Sequence, residues 1–137
     1  MRVPPSSVPG VNVAAEGKSY PPVRSEVSAD RLAAFQAVFD QHGGTPATFA
    51  TTVEYEAFVQ VLDDPELALD FAHVVHGSQE FTHARPMRAG EPLVATIRIE
   101  SIKVKGANGF LTLVTDMVDD DGNLVCTARS TMVERAP

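Results

Sequence analysis

The sequence predicts an α+β domain in which an antiparallel sheet curves around one long helix. Two observations carry this. The stretch ATFATTVEYEAFVQVL, residues 47–62, is apolar around nearly its whole helical circumference, yet it is far too short to cross a membrane. A helix of that kind is buried in a protein core. After it come four strand-like runs with short connections, and short connections join antiparallel neighbours.

Taken in order, residues 1–15 (Pro-, Ser- and Val-rich, with no helical or strand period) read as a flexible arm, and residues 16–137 as the single domain. Tyr20 to Val27 supplies a short first strand. Ser28 is placed to cap a helix with Asp30 in its first turn, and Leu32, Phe35 and Phe39 recur on one face. Gly43-Gly44 ends that helix. Thr45 as cap and Pro46 as first helical residue open the central one, which Asp63-Asp64-Pro65 stops. Val74 to Phe81 is a strand. Leu93, Ala95, Ile97 and Ile99 alternate with Val94, Thr96, Arg98 and Glu100, which is the period of another. Two more, Phe110 to Val118 and Leu124 to Val133, are joined by Asp119-Asp120-Asp121-Gly122-Asn123, a hairpin connector rich in residues that tolerate positive φ.

Composition narrows the function. The 137 residues are 44% apolar and 21% charged, as in an ordinary globular domain. A formal net charge of -7 argues against nucleic acid and against an anionic membrane surface, although a local basic patch remains compatible with an anionic ligand. The lone cysteine, Cys126, has no disulfide partner in the chain and sits in an apolar-alternating run, so it reads as a small core residue. No membrane span or hydrophobic signal core is written, and the cytoplasm is the expected compartment.

Three stretches resemble one family: GKSYPPV at Gly17 to Val23, TPATF at Thr45 to Phe49, and DPELALDFAHVVHGSQEFTHARPMRAGEPL at Asp64 to Leu93. The last carries HGxQxFxxxRPxRAGxxL, close to the second and third strands of MaoC-like dehydratases. It resembles in particular the short, N-terminal-type dehydratase domain of actinobacterial fatty-acid enzymes. The resemblance implies a hot-dog fold and an acyl thioester of coenzyme A or acyl carrier protein as ligand, with no cofactor and no metal. It also implies assembly as a homodimer or as a heterodimer with a second hot-dog chain. Active relatives hydrate trans-2-enoyl thioesters or dehydrate (3R)-3-hydroxyacyl thioesters. They use an Asp and a His five residues apart on the loop after the first helix, in a pattern like GDxNPxH. These residue types suit that chemistry, because a histidine moves a proton near neutral pH and a carboxylate orients it.

The chain departs from that pattern. Asp40 falls where the family's Asp would, but the position five further on is Thr45, and His42 stands only two residues beyond Asp40. The overhanging segment before the central helix is cut short, with Gly43-Gly44 running straight into Thr45-Pro46. Asp40 and His42 read as either a rearranged dyad or, the favoured reading, solvated residues of a truncated loop. Some members of the short subfamily resemble this chain in lacking the histidine, and pair with an active hot-dog chain. The resemblance therefore implies a non-catalytic or weakly active dehydratase-type subunit in fatty-acid or polyketide metabolism.

Other residues carry candidate roles. Backbone donors at Gly43 and Gly44, with Thr45 and Phe49 at the helix start, are expected beside the acyl thioester. Arg85 and Arg88, with Lys103 and Lys105, are candidates for pantetheine-arm phosphates. Glu54 interrupts the apolar helix. A buried carboxylate there needs a partner, and hot-dog thioesterases place a catalytic carboxylate on this helix, so an acyl-thioester hydrolase is one alternative. A binding or scaffolding hot-dog protein is the other. Gln79 is expected to pair locally. His73, His76 and His83 have the wrong spacing on a strand to converge on a metal.

Overall fold

The computed structural model describes residues 10–38 and 45–136. Among these residues five strands and two α-helices follow one another: β1 (Val23–Glu26), α1 (Ala29–Val38), α2 (Ala50–Leu62), β2 (Val74–His83), β3 (Pro92–Lys105), β4 (Asn108–Val118) and β5 (Leu124–Glu134). The strands form one antiparallel sheet in the order β1-β3-β4-β5-β2, curved around α2. Breaks of register at Ile99/Ser101 in β3, His76/Ser78 in β2 and Met117/Val118 in β4 help it bend, because an extra residue in one strand increases local twist. At the second break, a side chain on Gly77 would press on the Thr131 carbonyl at 3.2 Å and on Val133 at 3.3 Å, so a larger residue there would have to move its neighbours by a few tenths of an ångström.

Strict alternation makes β3 the backbone of the core. Leu93, Ala95, Ile97 and Ile99 all point inward, against Phe49, Val53, Ala57 and Val61 of the helical segment. Leu111, Leu113 and Met117 of β4 and Val125 and Ala128 of β5 extend the same apolar layer. Burial at this scale stabilises by roughly 1.5–3 kcal/mol for each large side chain fully removed from water.

Three sequence expectations are corrected. The flexible arm does not reach Ala15: Val11 and Ala15 are buried, Val11 N–H donates to Glu134 Oε1 (3.0 Å), and Asn12 N–H to the Leu67 carbonyl (2.8 Å). The short run offers too little apolar surface to show a period, yet enough to seal one end of the core. Residues 1–9 lie outside the described residues. Thr45 does not cap α2. Pro46 is extended (φ -54, ψ 135) and leads into a 3-10 turn, Ala47–Phe49, so the α-helix starts only at Ala50. Nor is α2 enclosed on all sides. The sheet covers Ala50, Val53, Glu54, Ala57 and Val61, while Tyr55 remains 57% exposed and Phe58, Val59 and Leu62 are only half-buried. One sheet covers one flank of a helix. The apolar character of the other flank belongs to a surface that the described residues leave open.

No helix among the described residues is long and apolar enough to cross a membrane.

Candidate functional site

The chemistry gathers at a small cavity of about 150 Å³ between α2 and the sheet. Its walls come from Tyr55 and Phe58 of α2, Ile97 of β3, Leu113 of β4 and Met132 of β5. Glu54, Gln79 and Ser130 bring the polar groups, and His76 stands beside them. Tertiary contact assembles the group. Glu54 faces inward because it lies on the same helical stripe as Ala50, Ala57 and Val61. Ser130 faces inward because it continues the Cys126–Ala128 alternation of β5. Gln79 is the register partner of Ser130 on β2.

Glu54 is 7% exposed and Ser130 2%. Ser130 Oγ lies 2.9 Å from Glu54 Oε2 and 2.5 Å from Gln79 Oε1, and Gln79 Nε2 donates to Glu54 Oε2 at 3.2 Å. Burial pushes the Glu54 carboxyl above its ordinary range. Contact with Ser130 and Gln79 and the nearness of His76 pull against this without cancelling it. Gln79 therefore does not pair locally, as its sequence setting implied, but reaches across to α2. Nothing in the local sequence marks it. The buried hydroxyl of Ser130 was legible by counting alternate residues from Cys126.

A second, wider cleft of about 480 Å³ lies at the other end of the helical segment, with Ala29, Leu32, Gln36, Thr45, Met87 and Arg88 on its walls. Thr45 Oγ1 donates to the Met87 carbonyl, so the side chain standing at the family's histidine position is tied to a backbone group. Asp40, His42, Gly43 and Gly44 lie outside the described residues.

The remaining candidates separate. Phe49 is not a wall of either cavity: it is 1% exposed and packs edge-on against Phe35, ring centroids 5.4 Å apart. Arg85 is not open to a phosphate. Its guanidinium forks onto Glu91 (2.7 and 3.0 Å) and also meets Asp119 at 3.2 Å, clamping the β2–β3 connection to the β4–β5 hairpin. Arg88 is exposed at the cleft, and Lys103 and Lys105 are exposed on β3. Cys126 is fully buried and its thiol is pushed up to about 11, first by burial and then by the neighbouring Glu54, which leaves it inert as a nucleophile. The histidines diverge: His73 Nδ1 meets Asp70 Oδ2 at 2.6 Å, His83 Nε2 meets the Ala47 carbonyl at 2.8 Å, and His76 stands beside Glu54. Among the described residues no cluster of three metal-ligating groups forms.

A family model described as the FAS1-like dehydratase domain region matches residues 22–128. The chain belongs to that family. A UPF0336 protein of Saccharopolyspora erythraea is 36% identical over 118 residues, 86% of this chain and 72% of the relative. A UPF0336 protein of Streptomyces griseus is 36% identical over 138 residues, covering 88% and 92%. Among solved structures, the chain is similar to the C-terminally truncated HadBC (3R-hydroxyacyl-ACP dehydratase) complex from Mycobacterium tuberculosis. That match has TM-score 0.74 and 20% identity, covering 87% of this chain and 96% of that one. The MaoC-like dehydratase from Rhodospirillum rubrum superposes with TM-score 0.65 at 17% identity, covering 90% and 94%. These likenesses show the hot-dog fold, with its antiparallel sheet around α2.

Proposed function

We propose that this chain binds acyl thioesters of coenzyme A or acyl carrier protein as a non-catalytic or weakly active dehydratase-type subunit in fatty-acid or polyketide metabolism. The observation that carries the reading is Thr45. It stands where the family pattern has its histidine, and its hydroxyl is committed to the Met87 carbonyl, so it has neither the chemistry nor the freedom to move a substrate proton. Membership in a dehydratase domain family supports the ligand class.

Pairing with a second hot-dog chain, identical or not, is part of the proposal. Among the described residues β2 is an edge strand, bonded to β5 alone, and it presents an unpaired row of backbone groups flanked by exposed Val75. The half-open apolar flank of α2, with Tyr55, Phe58, Val59 and Leu62, adds surface that a partner would cover.

The acyl-thioester hydrolase reading, with Glu54 as base, is weaker. A base must be ionised, and burial among neutral partners favours the uncharged form of Glu54.

The test is hydration of trans-2-enoyl-CoA by the purified chain, followed as loss of enoyl absorbance, alongside thermal protection by a saturated acyl-CoA. Protection without turnover is the expected result. Turnover abolished by His42→Ala would replace this reading with a rearranged Asp40/His42 dyad. Absence of any protection would favour a scaffolding protein.

A further inference from the structure

The bond lengths in the Glu54–Ser130–Gln79 group decide where its protons are. The 2.5 Å contact between Ser130 and Gln79 is too short for N–H···O and fits O–H···O, while the 3.2 Å contact to Glu54 fits an amide N–H; together they fix which amide atom is which. Ser130 has a single hydroxyl proton. The Gln79 oxygen has none, so the Ser130 proton must lie between Ser130 and Gln79. The 2.9 Å contact between Ser130 Oγ and Glu54 Oε2 then lacks a proton unless Glu54 supplies it. A protonated Glu54 closes the ring completely: acid to serine, serine to amide oxygen, amide N–H back to the acid. Among the described residues no cation is bonded to the carboxyl. The titratable groups facing it are His76 from β2 and Cys126 from β5, while β3 and β4 present Ile97 and Leu113.

The closed ring leaves two groups over. Glu54 Oε1 has no hydrogen-bond partner among the described residues, and the Gln79 amide has a second N–H with none. One is an acceptor and the other a donor, on residues that line the same otherwise apolar cavity. A hydroxyl group satisfies both at once, donating to the acid and accepting from the amide. A plain hydrocarbon leaves both desolvated and unmet. The cavity's size, about 150 Å³, suits a segment of roughly six heavy atoms, on the scale of a benzene-sized guest. Glu54 also lies about 6 Å along α2 from Ala50, taking ~1.5 Å per residue, and so beyond the end of the helical segment where Thr45 stands.

We infer that Glu54, as an uncharged carboxylic acid, acts with Gln79 as a specificity device for acyl chains that bear a hydroxyl away from the thioester. This rests on the acyl-thioester reading above and names the chain it prefers. The hydroxyl in question is additional to whatever the carbons next to the thioester carry.

The test is equilibrium binding of the whole chain, by titration calorimetry, to octanoyl-CoA and to its mid-chain and terminal hydroxy analogues. At least one hydroxy analogue is expected to bind about ten-fold more tightly than octanoyl-CoA, the order of one well-made hydrogen bond to a desolvated site. Glu54→Gln, which keeps the shape, the donor toward Ser130 and the free acceptor oxygen without a charge and gives up only the acceptance from Gln79, is expected to retain that preference. Glu54→Leu is expected to lose it while still binding octanoyl-CoA, and Gln79→Leu does the same service if Glu54→Leu fails to fold. A wild-type chain that binds all analogues equally, a Glu54→Leu chain that keeps the preference, or a Glu54→Gln chain that loses it would each overturn the inference. Those outcomes leave the acyl-thioester reading standing. Failure to bind any of the thioesters would remove both.

Discussion

Two carboxylates at opposite reaches of α2, Glu54 within it and Asp64 just past its end, are both nearly hidden from water yet driven in opposite directions. Asp64 accepts from Lys18 Nζ and from the Tyr20 hydroxyl, each at 2.7 Å, and from Glu66 N–H at 3.0 Å. Lys18 first, then Tyr20, hold its carboxyl down at about 2. Glu54 has a hydroxyl and an amide in place of a cation, and burial lifts it. The difference teaches what each is for. A carboxylate met by a cation and a phenol ties the first residues of the fold to the end of the helix. A carboxyl met by neutral groups at a cavity wall is biased toward its protonated form and keeps spare hydrogen-bonding capacity.

The largest effect is expected from Asp64→Ala. It leaves the buried Tyr20 hydroxyl unpaired and should lower the free energy of unfolding by about 2–3 kcal/mol at neutral pH, read from urea denaturation. A loss under about half a kcal/mol would show that Asp64 is a surface ornament and erase the contrast.

Ser130→Val comes next. It removes both the acceptor for the Glu54 proton and the donor to Gln79, and should cost roughly 1–3 kcal/mol. A stabilising outcome would mean the ring is not closed as described.

The pH dependence sharpens the comparison further. Asp64 is lowered, so its stabilising contribution is complete above the ordinary aspartate value of about 3.9 and is lost as pH falls toward 2. Glu54 is raised, so the folded state holds a proton the unfolded chain has released. Its contribution is therefore present at acid pH and declines as pH rises from the ordinary glutamate value of about 4.3 through the folded one. The melting temperature of Glu54→Gln relative to wild type should accordingly rise between mildly acid and mildly alkaline pH. A flat difference would place the Glu54 pKa at its ordinary value.

The smallest effect concerns Cys126, whose buried thiol should resist alkylation by iodoacetamide until the chain is unfolded. Rapid labelling of the folded protein would show that the wall of the pocket beside Glu54 opens.

How much of this was legible beforehand follows from the range of the interactions. β3 could be read residue by residue, because a strand with one buried face displays its period in the sequence. The Ser28 cap and the Asp119–Asn123 hairpin were equally plain, since each is closed by hydrogen bonds within a few residues: Arg31 N–H to Ser28 Oγ, Asp119 N–H to the Asn123 carbonyl. Thr45 misled, because local capping chemistry lost to a distant carbonyl on Met87, and Arg85 because a clamp with Glu91 and Asp119 looks the same in sequence as an open phosphate site.

By itself, then, the sequence determined the order of elements, the apolar central helix and the anomaly of Glu54 within it. Local periodicity and turn chemistry are properties of neighbouring residues. Only the tertiary structure decided what Glu54 is. Its partners stand 25 and 76 residues away on two different strands, and whether a buried acid keeps or loses its proton depends on which groups the fold brings to it across that distance.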